Sequence, residues 1–169
     1  MKHTEDVVRG TVREVDGAAT IRMESRYPTD PTDLWSAVTD PQRLARWVAE
    51  VEGDLHEGGR LTARFTSGWE GAGRVLECSA PHLLRVEMDG GEGDRTEITA
   101  TLTPDGDHTV LVIEESGIAL REGLAHGAGW QAHVHDLGAH LEGRAAGDWS
   151  AQWAELFPGY QERGFEATP

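Results

Sequence analysis

The chain has 169 residues, of which 38% are hydrophobic and 27% are charged, and its formal net charge at pH 7 is -15. This length fits a single domain that can bury a core of its own. The acidity argues against nucleic acid and anionic membranes as partners, because both attract basic surfaces.

The number of cysteines and the first residues of the chain indicate the cellular compartment. Cys78 is the one cysteine, so the chain cannot form an intramolecular disulfide, which is typical of a reducing compartment. The N-terminal residues lack the apolar stretch of a signal peptide, and no apolar run is long enough to span a bilayer. We therefore expect a cytoplasmic protein without a membrane partner, as a monomer or a weak homodimer.

The first part of the chain predicts strand structure. Residues 1–16 are polar and mixed, and indicate either a loose lead-in or an edge strand. Over residues 19–27 apolar and polar side chains alternate, with Ala19, Ile21 and Met23 on one face. A period of two residues is typical of a half-buried strand.

Two short helices are predicted next, because an Asp-Pro pair occurs twice, at residues 30–31 and 40–41. The aspartate can cap free backbone N–H groups, and the proline supplies the φ angle of a first helical residue. Proline also disfavours helical geometry in the residue before it, so the first helix should end near Thr39. The second should end near Val48. Two helices this short must pack against a larger element.

A series of strand-like segments follows, each separated from the next by turn residues. The glycine-rich segment among them should be strongly bent, and the last two flank a turn at 104–107 that is typical of a hairpin. The segments are 52–54, 60–66, 69–78, 83–88, 96–103 and 109–115.

The period then changes to that of a helix. Apolar side chains recur at i, i+4, i+7 and i+11 from Trp130 to Leu141, which predicts one long amphipathic helix over about 121–142. Gly143 supplies a stop signal. A second helix is predicted from its cap Asp148 through Leu156, broken by Pro158-Gly159, with the last ten residues as a tail.

This order of elements predicts an α+β fold. Consecutive hairpin-linked strands form an antiparallel sheet, here of about six to seven strands, and the long helix must lie on it. If the sheet curves around that helix, the two short helices close the remaining end and a cavity is left inside. We divide the chain into a lead-in at 1–16, the main domain at 17–145, and a C-terminal helix and tail at 146–169 packed on the same domain.

The motif at 31–41, followed by Leu44 and Trp47, resembles the START-like (Bet v 1-like, SRPBCC) superfamily, and within it the branch of activator of heat-shock protein 90 ATPase homologues. The resemblance implies a helix-grip fold (a curved sheet wrapped around a long helix) with an internal hydrophobic cavity. Members of the branch often carry a histidine where this chain has Glu115, and the segment 146–169 lies outside the common pattern. Further matches are Glu57-Gly58-Gly59, residues 73–77, Glu115-Ser116-Gly117 and Gly129-Trp130.

The eight histidines raise the question of a metal site. His126, His133 and His140 recur every seven residues on the long helix, so neighbours in this series are about 10 Å apart along its axis. Zinc ligands lie about 2 Å from the ion, and one ion therefore cannot bridge them. We predict no metal site. The histidines should flank the apolar stripe or line a polar edge of the cavity.

Catalytic patterns are weak. Glu114 and Glu115 are neighbours on a predicted strand and must point to opposite faces, so they cannot act as a pair. The inward one would need a partner such as Arg74 or a ligand group, because an unpaired buried charge is costly. The sequence has no nucleophile elbow, phosphate-binding loop or dinucleotide pattern. We therefore predict no catalytic residue and no cofactor.

The predicted architecture favours reversible binding of a small hydrophobic or aromatic molecule in the internal cavity. Glu115 and His133 are the predicted polar anchors. Two alternatives stay open: a co-chaperone that activates a heat-shock protein 90 type ATPase, and an enzyme of the polyketide cyclase or aromatase type. The helix carrying Trp149, Trp153 and Leu156 could be a lid, a partner surface or a helix docked on the same chain. The predicted apolar lining comprises Leu34, Trp47, Phe65, Trp69, Val86, Ile98, Ile113, Trp130, Val134 and Leu137.

Overall fold

A computed structural model describes residues 8–91 and 93–167. Over this part of the chain, eight strands and four α-helices are found, and no helix is long and apolar enough to cross a membrane. The strands are β1 Arg9–Val15, β2 Ala18–Tyr27, β3 Ala49–Gly53, β4 Arg60–Phe65, β5 Glu70–Ser79, β6 Leu83–Asp89, β7 Arg95–Asp105 and β8 His108–Ile118. The helices are α1 Pro31–Thr39, α2 Pro41–Trp47, α3 Gly123–Leu141 and α4 Trp149–Arg163.

All eight strands belong to one antiparallel sheet in the order β1-β2-β8-β7-β6-β5-β4-β3. The long helix α3 contacts β1 and β2 and packs beside α2 and α4. The predicted α+β helix-grip fold is thereby confirmed, with one strand more than the six to seven expected. The additional strand is β1, which pairs with β2 along its length and resolves the alternatives for residues 9–15 in favour of an edge strand.

The two short helices start and stop where the Asp-Pro pairs predict. The Asp30 carboxylate accepts from the backbone N–H of Asp33 at 2.8 Å, and that of Asp40 accepts from Gln42 at 2.9 Å. The backbone N–H of Asp40 also donates to the carbonyl of Ser36, so one residue ends α1 and begins α2. Helix α2 contacts the edge strand β3, and α1 contacts the central strand β7.

The apolar core is divided into two clusters. The larger one lies between the four helices and the strands β1, β2, β3, β7 and β8. The smaller one belongs to β4, β5 and β6. Helix α3 packs mainly on β1 and β2, at one side of the concave face of the sheet. The cavities described below lie between the two clusters. The smaller cluster consists of Leu61, Ala63, Val75 and Met88.

Helix α4 differs from the prediction. It continues through Pro158 to Arg163, so the expected break at Pro158-Gly159 is wrong, as is a tail that begins at residue 160. The reason is tertiary packing: Tyr160, directly after the expected break, is only 2% exposed, and its hydroxyl donates to Gln131 Oε1 at 2.8 Å. The residues after the helix are also fixed, because the backbone N–H of Glu166 donates to the carbonyl of Val12.

Candidate functional site

Two cavities of similar size open on the concave side of the sheet, of about 380 and 340 Å³. Four side chains line both of them and therefore stand between them: Phe65, Met88, Ile98 and Trp130. The first cavity, here called the aromatic pocket, is walled by the rings of Phe65, Trp69, Trp130, His133, Trp149 and Trp153. The second, here called the apolar cavity, includes Trp35, Leu44, Trp47, Leu61, Val75 and Val86 in its lining.

The rings of the aromatic pocket contact each other in series. Phe65 lies 5.5 Å from Trp69 and 6.4 Å from Trp130, both edge to face. His133 then lies 5.5 Å from Trp130 and 5.7 Å from Trp149. Such pairs stabilise each other beyond their buried area, so the wall is a continuous aromatic band that joins β4 to α3 and α4.

Helix α4 supplies the roof of the aromatic pocket. Trp149 stacks on Trp153 at 6.4 Å, and Trp153 on Phe157 at 4.6 Å. The indole N–H of Trp149 donates to the carbonyl of Gly129 at 3.2 Å, and that of Trp153 to Ala125 at 3.0 Å. The two donors are four residues apart on α4, and the two acceptors are four residues apart on α3. Two successive turns of α4 are therefore fixed to two successive turns of α3.

The rim of the pocket is shaped by a glycine. Trp69 lies over Gly71 on β5, where an added Cβ would clash with the indole ring. A side chain at this position would displace Trp69, so the glycine keeps the ring at the rim. The Trp69 indole N–H points toward Asp94 Oδ2, at 3.5 Å.

The base of the pocket is formed by Glu115 on β8. Its side chain is inward and the residue is 7% exposed, while Glu114 points outward and pairs with Arg22 at 3.5 Å. As predicted, these two neighbouring glutamates therefore point to opposite faces of the strand. One carboxylate oxygen of Glu115 accepts from Thr96 Oγ1 at 2.7 Å, and the other accepts from the indole N–H of Trp130 at 2.9 Å.

Arg74 is not the partner of Glu115. It is exposed on the outer face of β5, opposite Arg60 and Glu87 in the neighbouring strands. The expectation of an Arg74 partner is wrong because the residue falls on the convex side of the pleat. Neutral donors take its place at Glu115.

His133 lies in the wall between Trp130 and Trp149 and is 4% exposed. Burial lowers the pKa of His133 to about 4, and a hydrogen bond with the backbone of Trp47 opposes this shift only in part. The imidazole is therefore neutral near pH 7. Its Nδ1 lies 3.4 Å from Thr66 Oγ1.

The other histidines of α3 have separate neighbours. His126 Nδ1 lies 3.1 Å from the carbonyl of Glu122, and His140 Nε2 accepts from Arg43 at 3.1 Å. Within the described ranges, no group of three His, Cys, Asp or Glu side chains is placed to hold a metal ion.

The predicted site residues fall into four groups. Trp69, Glu115 and His133 line the aromatic pocket alone. Trp47, Val86 and Ile113 line only the apolar cavity, and Phe65, Ile98 and Trp130 line both. Leu34, Val134 and Leu137 line neither cavity, which differs from the expectation. They face inward as their period predicts, but there they meet packed core and are at most 1% exposed.

Sequence reasoning did not place Trp149 and Trp153 in the site, although it left a lid open as one role for their helix. The available signal was their spacing of four residues, continued by Phe157, which puts three rings on one face of α4. Asp94 and Thr96, at the start of β7, were missed as well. They come directly after a glycine-rich turn, and their side chains carry no periodic signal.

A family model described as "Activator of Hsp90 ATPase homolog 1-like protein" matches residues 28–142, more than half of the chain. The chain belongs to this family. The match confirms the resemblance found in the sequence and includes α1, α2, α3 and strands β3 to β8. It does not include β1, β2 or α4, so the roof of the aromatic pocket lies outside the matched region.

Solved structures with the same fold span most of the chain. The crystal structure of CalU16 from Micromonospora echinospora is 25% identical with a TM-score of 0.77, covering 94% of this chain and 98% of CalU16. DynU16, from the dynemicin biosynthetic locus, is 26% identical with a TM-score of 0.70, covering 76% of this chain and 50% of DynU16.

A likeness in fold alone links the chain to an HSP90 activator from Plasmodium falciparum. That structure is 23% identical with a TM-score of 0.59, covering 73% of this chain and 96% of the activator. No curated protein matches the chain.

Proposed function

We propose that this protein reversibly binds a small hydrophobic or aromatic molecule in the aromatic pocket. The observation that supports the proposal is the base of the pocket, where Glu115 and Trp130 are fixed by a hydrogen bond inside a cavity whose wall includes six aromatic rings. Ligand sites are typically apolar clefts with a few oriented polar groups. A volume of about 380 Å³ is sufficient for a ligand of two fused rings or a similar size.

The rings supply most of the binding free energy in this proposal. Apolar surface removed from water contributes about 25 cal/mol per Å², and offset or edge-to-face ring contacts add to it. The roof rings are already ordered by their hydrogen bonds to α3. A ligand therefore meets a wall that is largely formed before it binds, which lowers the entropic cost of binding.

One relative supports a small organic molecule as the ligand class. DynU16, which shares 26% identity, comes from a biosynthetic locus. Such a locus makes a small molecule, and a protein that binds small molecules reversibly would serve there. The ligand class proposed for this chain is inferred from the lining of the aromatic pocket, and the relative is supporting information.

The test is a titration with 2-naphthylmethanol, a neutral two-ring probe, followed through the indole N–H resonances of ¹⁵N-labelled protein. The chain has six tryptophans. Trp69, Trp149 and Trp153 line only the aromatic pocket, whereas Trp35 and Trp47 line only the apolar cavity. The spectrum thus reports which cavity the probe enters.

We expect saturable shifts of the Trp69, Trp149 and Trp153 resonances, with little change at Trp35 and Trp47. Shifts confined to Trp35 and Trp47 would place the ligand in the apolar cavity and overturn the assignment to the aromatic pocket. If no resonance moves up to the solubility limit of the probe, binding of neutral two-ring aromatic molecules is rejected.

Activation of an Hsp90-type ATPase is the second candidate, favoured by the match to the family model at residues 28–142. A co-chaperone acts through an exposed face, so a change inside the aromatic pocket should leave its effect intact. We would measure ATP turnover of an Hsp90-type ATPase with the parent protein and with Ala125→Phe. Equal stimulation by both proteins supports this candidate, and no stimulation by either rejects it.

A further inference from the structure

The carboxylate of Glu115 has unused capacity to accept hydrogen bonds. Each of its oxygens has two lone pairs, and each receives one donor, from Thr96 or from Trp130. Both donors are neutral. A carboxylate at the base of a cavity is thus left with acceptor sites that a bound molecule can use.

Among the described residues, no ion pair compensates this charge. The nearby imidazole of His133 is neutral because burial lowers its pKa to about 4. The other imidazole that lines the pocket, that of His126, lies at hydrogen-bond distance from the carbonyl of Glu122. The outward neighbour Glu114, in contrast, has the guanidinium of Arg22 at 3.5 Å. A buried charge normally has an ionic partner or a metal, and no metal-binding cluster lies in the described part of the chain.

The walls above Glu115 are suited to a cation. The faces of Trp and Phe rings carry negative potential and attract ammonium groups, with the strongest effect where water is excluded. Trp69, Trp130 and Trp149 line the pocket together with Phe65, and a second carboxylate, Asp94, lies at the rim. The whole chain carries a net charge of -15, which favours the approach of cations.

From these observations we infer that the ligand of the aromatic pocket is an organic cation, in which an aromatic or apolar body carries a protonated amine. The ammonium group donates to Glu115 at the base, and the body lies against the tryptophan rings. This inference rests on the proposed function, because it names the chemical class of the molecule that binds there.

The experiment compares two probes of nearly the same shape at pH 7, 2-naphthylmethylammonium and neutral 2-naphthylmethanol, by isothermal titration calorimetry. We expect the parent protein to bind the ammonium probe at least tenfold more tightly than the alcohol. Glu115→Gln should weaken ammonium binding at least tenfold and leave alcohol binding within about twofold. Glu114→Gln is the matched control, because it removes the same charge from the other face of the same strand.

The outcomes separate the two proposals. If the alcohol binds as tightly as the ammonium probe to the parent protein, the inference of a cationic ligand is overturned while the proposed function stands. If neither probe binds, both are overturned. If Glu115→Gln and Glu114→Gln weaken ammonium binding equally, the effect is one of net charge and Glu115 is not the binding group. The parent comparison needs no variant, so it decides the inference even if Glu115→Gln does not fold.

Discussion

The aromatic pocket and the apolar cavity have nearly the same volume, but they differ in their polar groups. The aromatic pocket contains two carboxylates, Glu115 and Asp94, together with the imidazoles of His126 and His133. Among the described residues, the apolar cavity has no charged side chain in its lining, and its polar groups are those of Thr39, Cys78 and the tryptophan indoles. By volume alone, the two cavities would be equally good candidates for a binding site. The oriented carboxylate at the base of the aromatic pocket is the feature that separates a candidate binding site from a gap between core clusters.

The cavities also differ in the element that closes them. The apolar cavity is closed by α1 and α2, whose caps and bounds follow from the local Asp-Pro signals. The aromatic pocket is roofed by α4, which depends on contacts with α3 for its position. Changes to titratable groups or to the α3–α4 contact should therefore alter the aromatic pocket more than the apolar cavity.

The largest expected effect is acid destabilisation through His133. The pKa of this buried imidazole is about 4 in the folded protein, against about 6.5 for an exposed histidine. Between these values the unfolded chain binds more protons than the folded one. The free energy of unfolding therefore falls as the pH is lowered from about 6.5 to about 4, by roughly 3 kcal/mol for this one group.

Chemical denaturation of the parent and of His133→Gln at a series of pH values tests this prediction. The variant should lose less stability than the parent between pH 6.5 and pH 4. His82→Gln, which removes an exposed histidine from the turn after β5, controls for the loss of an imidazole. Burial also lowers the pKa of His135 and His140, so a residual slope is expected in the variant. Parallel curves for parent and His133→Gln would contradict the prediction.

The fold was predictable because its signals are local. Asp30 and Asp40 cap helices that lie next to them in sequence, and the alternation around Glu115 assigns one side chain to each face of β8. The alternation required one of Glu114 and Glu115 to face inward, and in the structure it is Glu115. Nothing local showed that Arg74 would fall on the convex face, since its strand is bent and bulged near Val75.

The remainder of the site depends on contacts between distant residues. The periods put Leu34, Val134 and Leu137 on inner faces, but they do not tell whether an inner face meets packed core or empty space. Similarly, the position of Trp149 over the pocket is set by the carbonyl of Gly129 on another helix. Pro158 predicts a helix end, and the packing of Tyr160 overrides it.

The next effect in size concerns the contact between α3 and α4. A Cβ at Gly127 would lie 2.7 Å from Cε1 of Tyr160 and 2.9 Å from Cγ2 of Val12. Gly127→Ala should therefore destabilise the protein by about 1 to 3 kcal/mol, as overpacking does. It should also broaden or shift the indole N–H resonances of the α4 roof, while that of Trp35 in the apolar cavity stays in place.

Gly138 is the matched control for this substitution, because it lies on the same helix and a Cβ there would be 3.7 Å from its nearest neighbour, Tyr27. That distance is an ordinary contact, so Gly138→Ala should be neutral or stabilising by up to about 1 kcal/mol through helix propensity. Thermal unfolding of both variants is the measurement. If the two substitutions have equal effects, the close approach at Gly127 does not limit the packing of α4.

The smallest expected effect comes from a pair of substitutions that place a new ring in one cavity at a time. They give the most direct comparison of the two cavities. Ala125 on α3 lines only the aromatic pocket, and Val86 on β6 lines only the apolar cavity. Both residues are half-buried. Ala125→Phe should weaken binding of 2-naphthylmethanol at least tenfold, or about 1.4 kcal/mol, because the new ring occupies space that the probe needs.

Val86→Phe adds a ring to the other cavity and should leave the affinity for 2-naphthylmethanol within about twofold. Calorimetric titration of the parent and both variants gives the affinities, and the melting temperatures show that each variant is folded. The reverse order, with Val86→Phe weakening binding and Ala125→Phe tolerated, would assign the ligand to the apolar cavity. Loss of binding in both variants would mean that one ligand spans the partition of Phe65, Met88, Ile98 and Trp130, and that the two cavities act as one site.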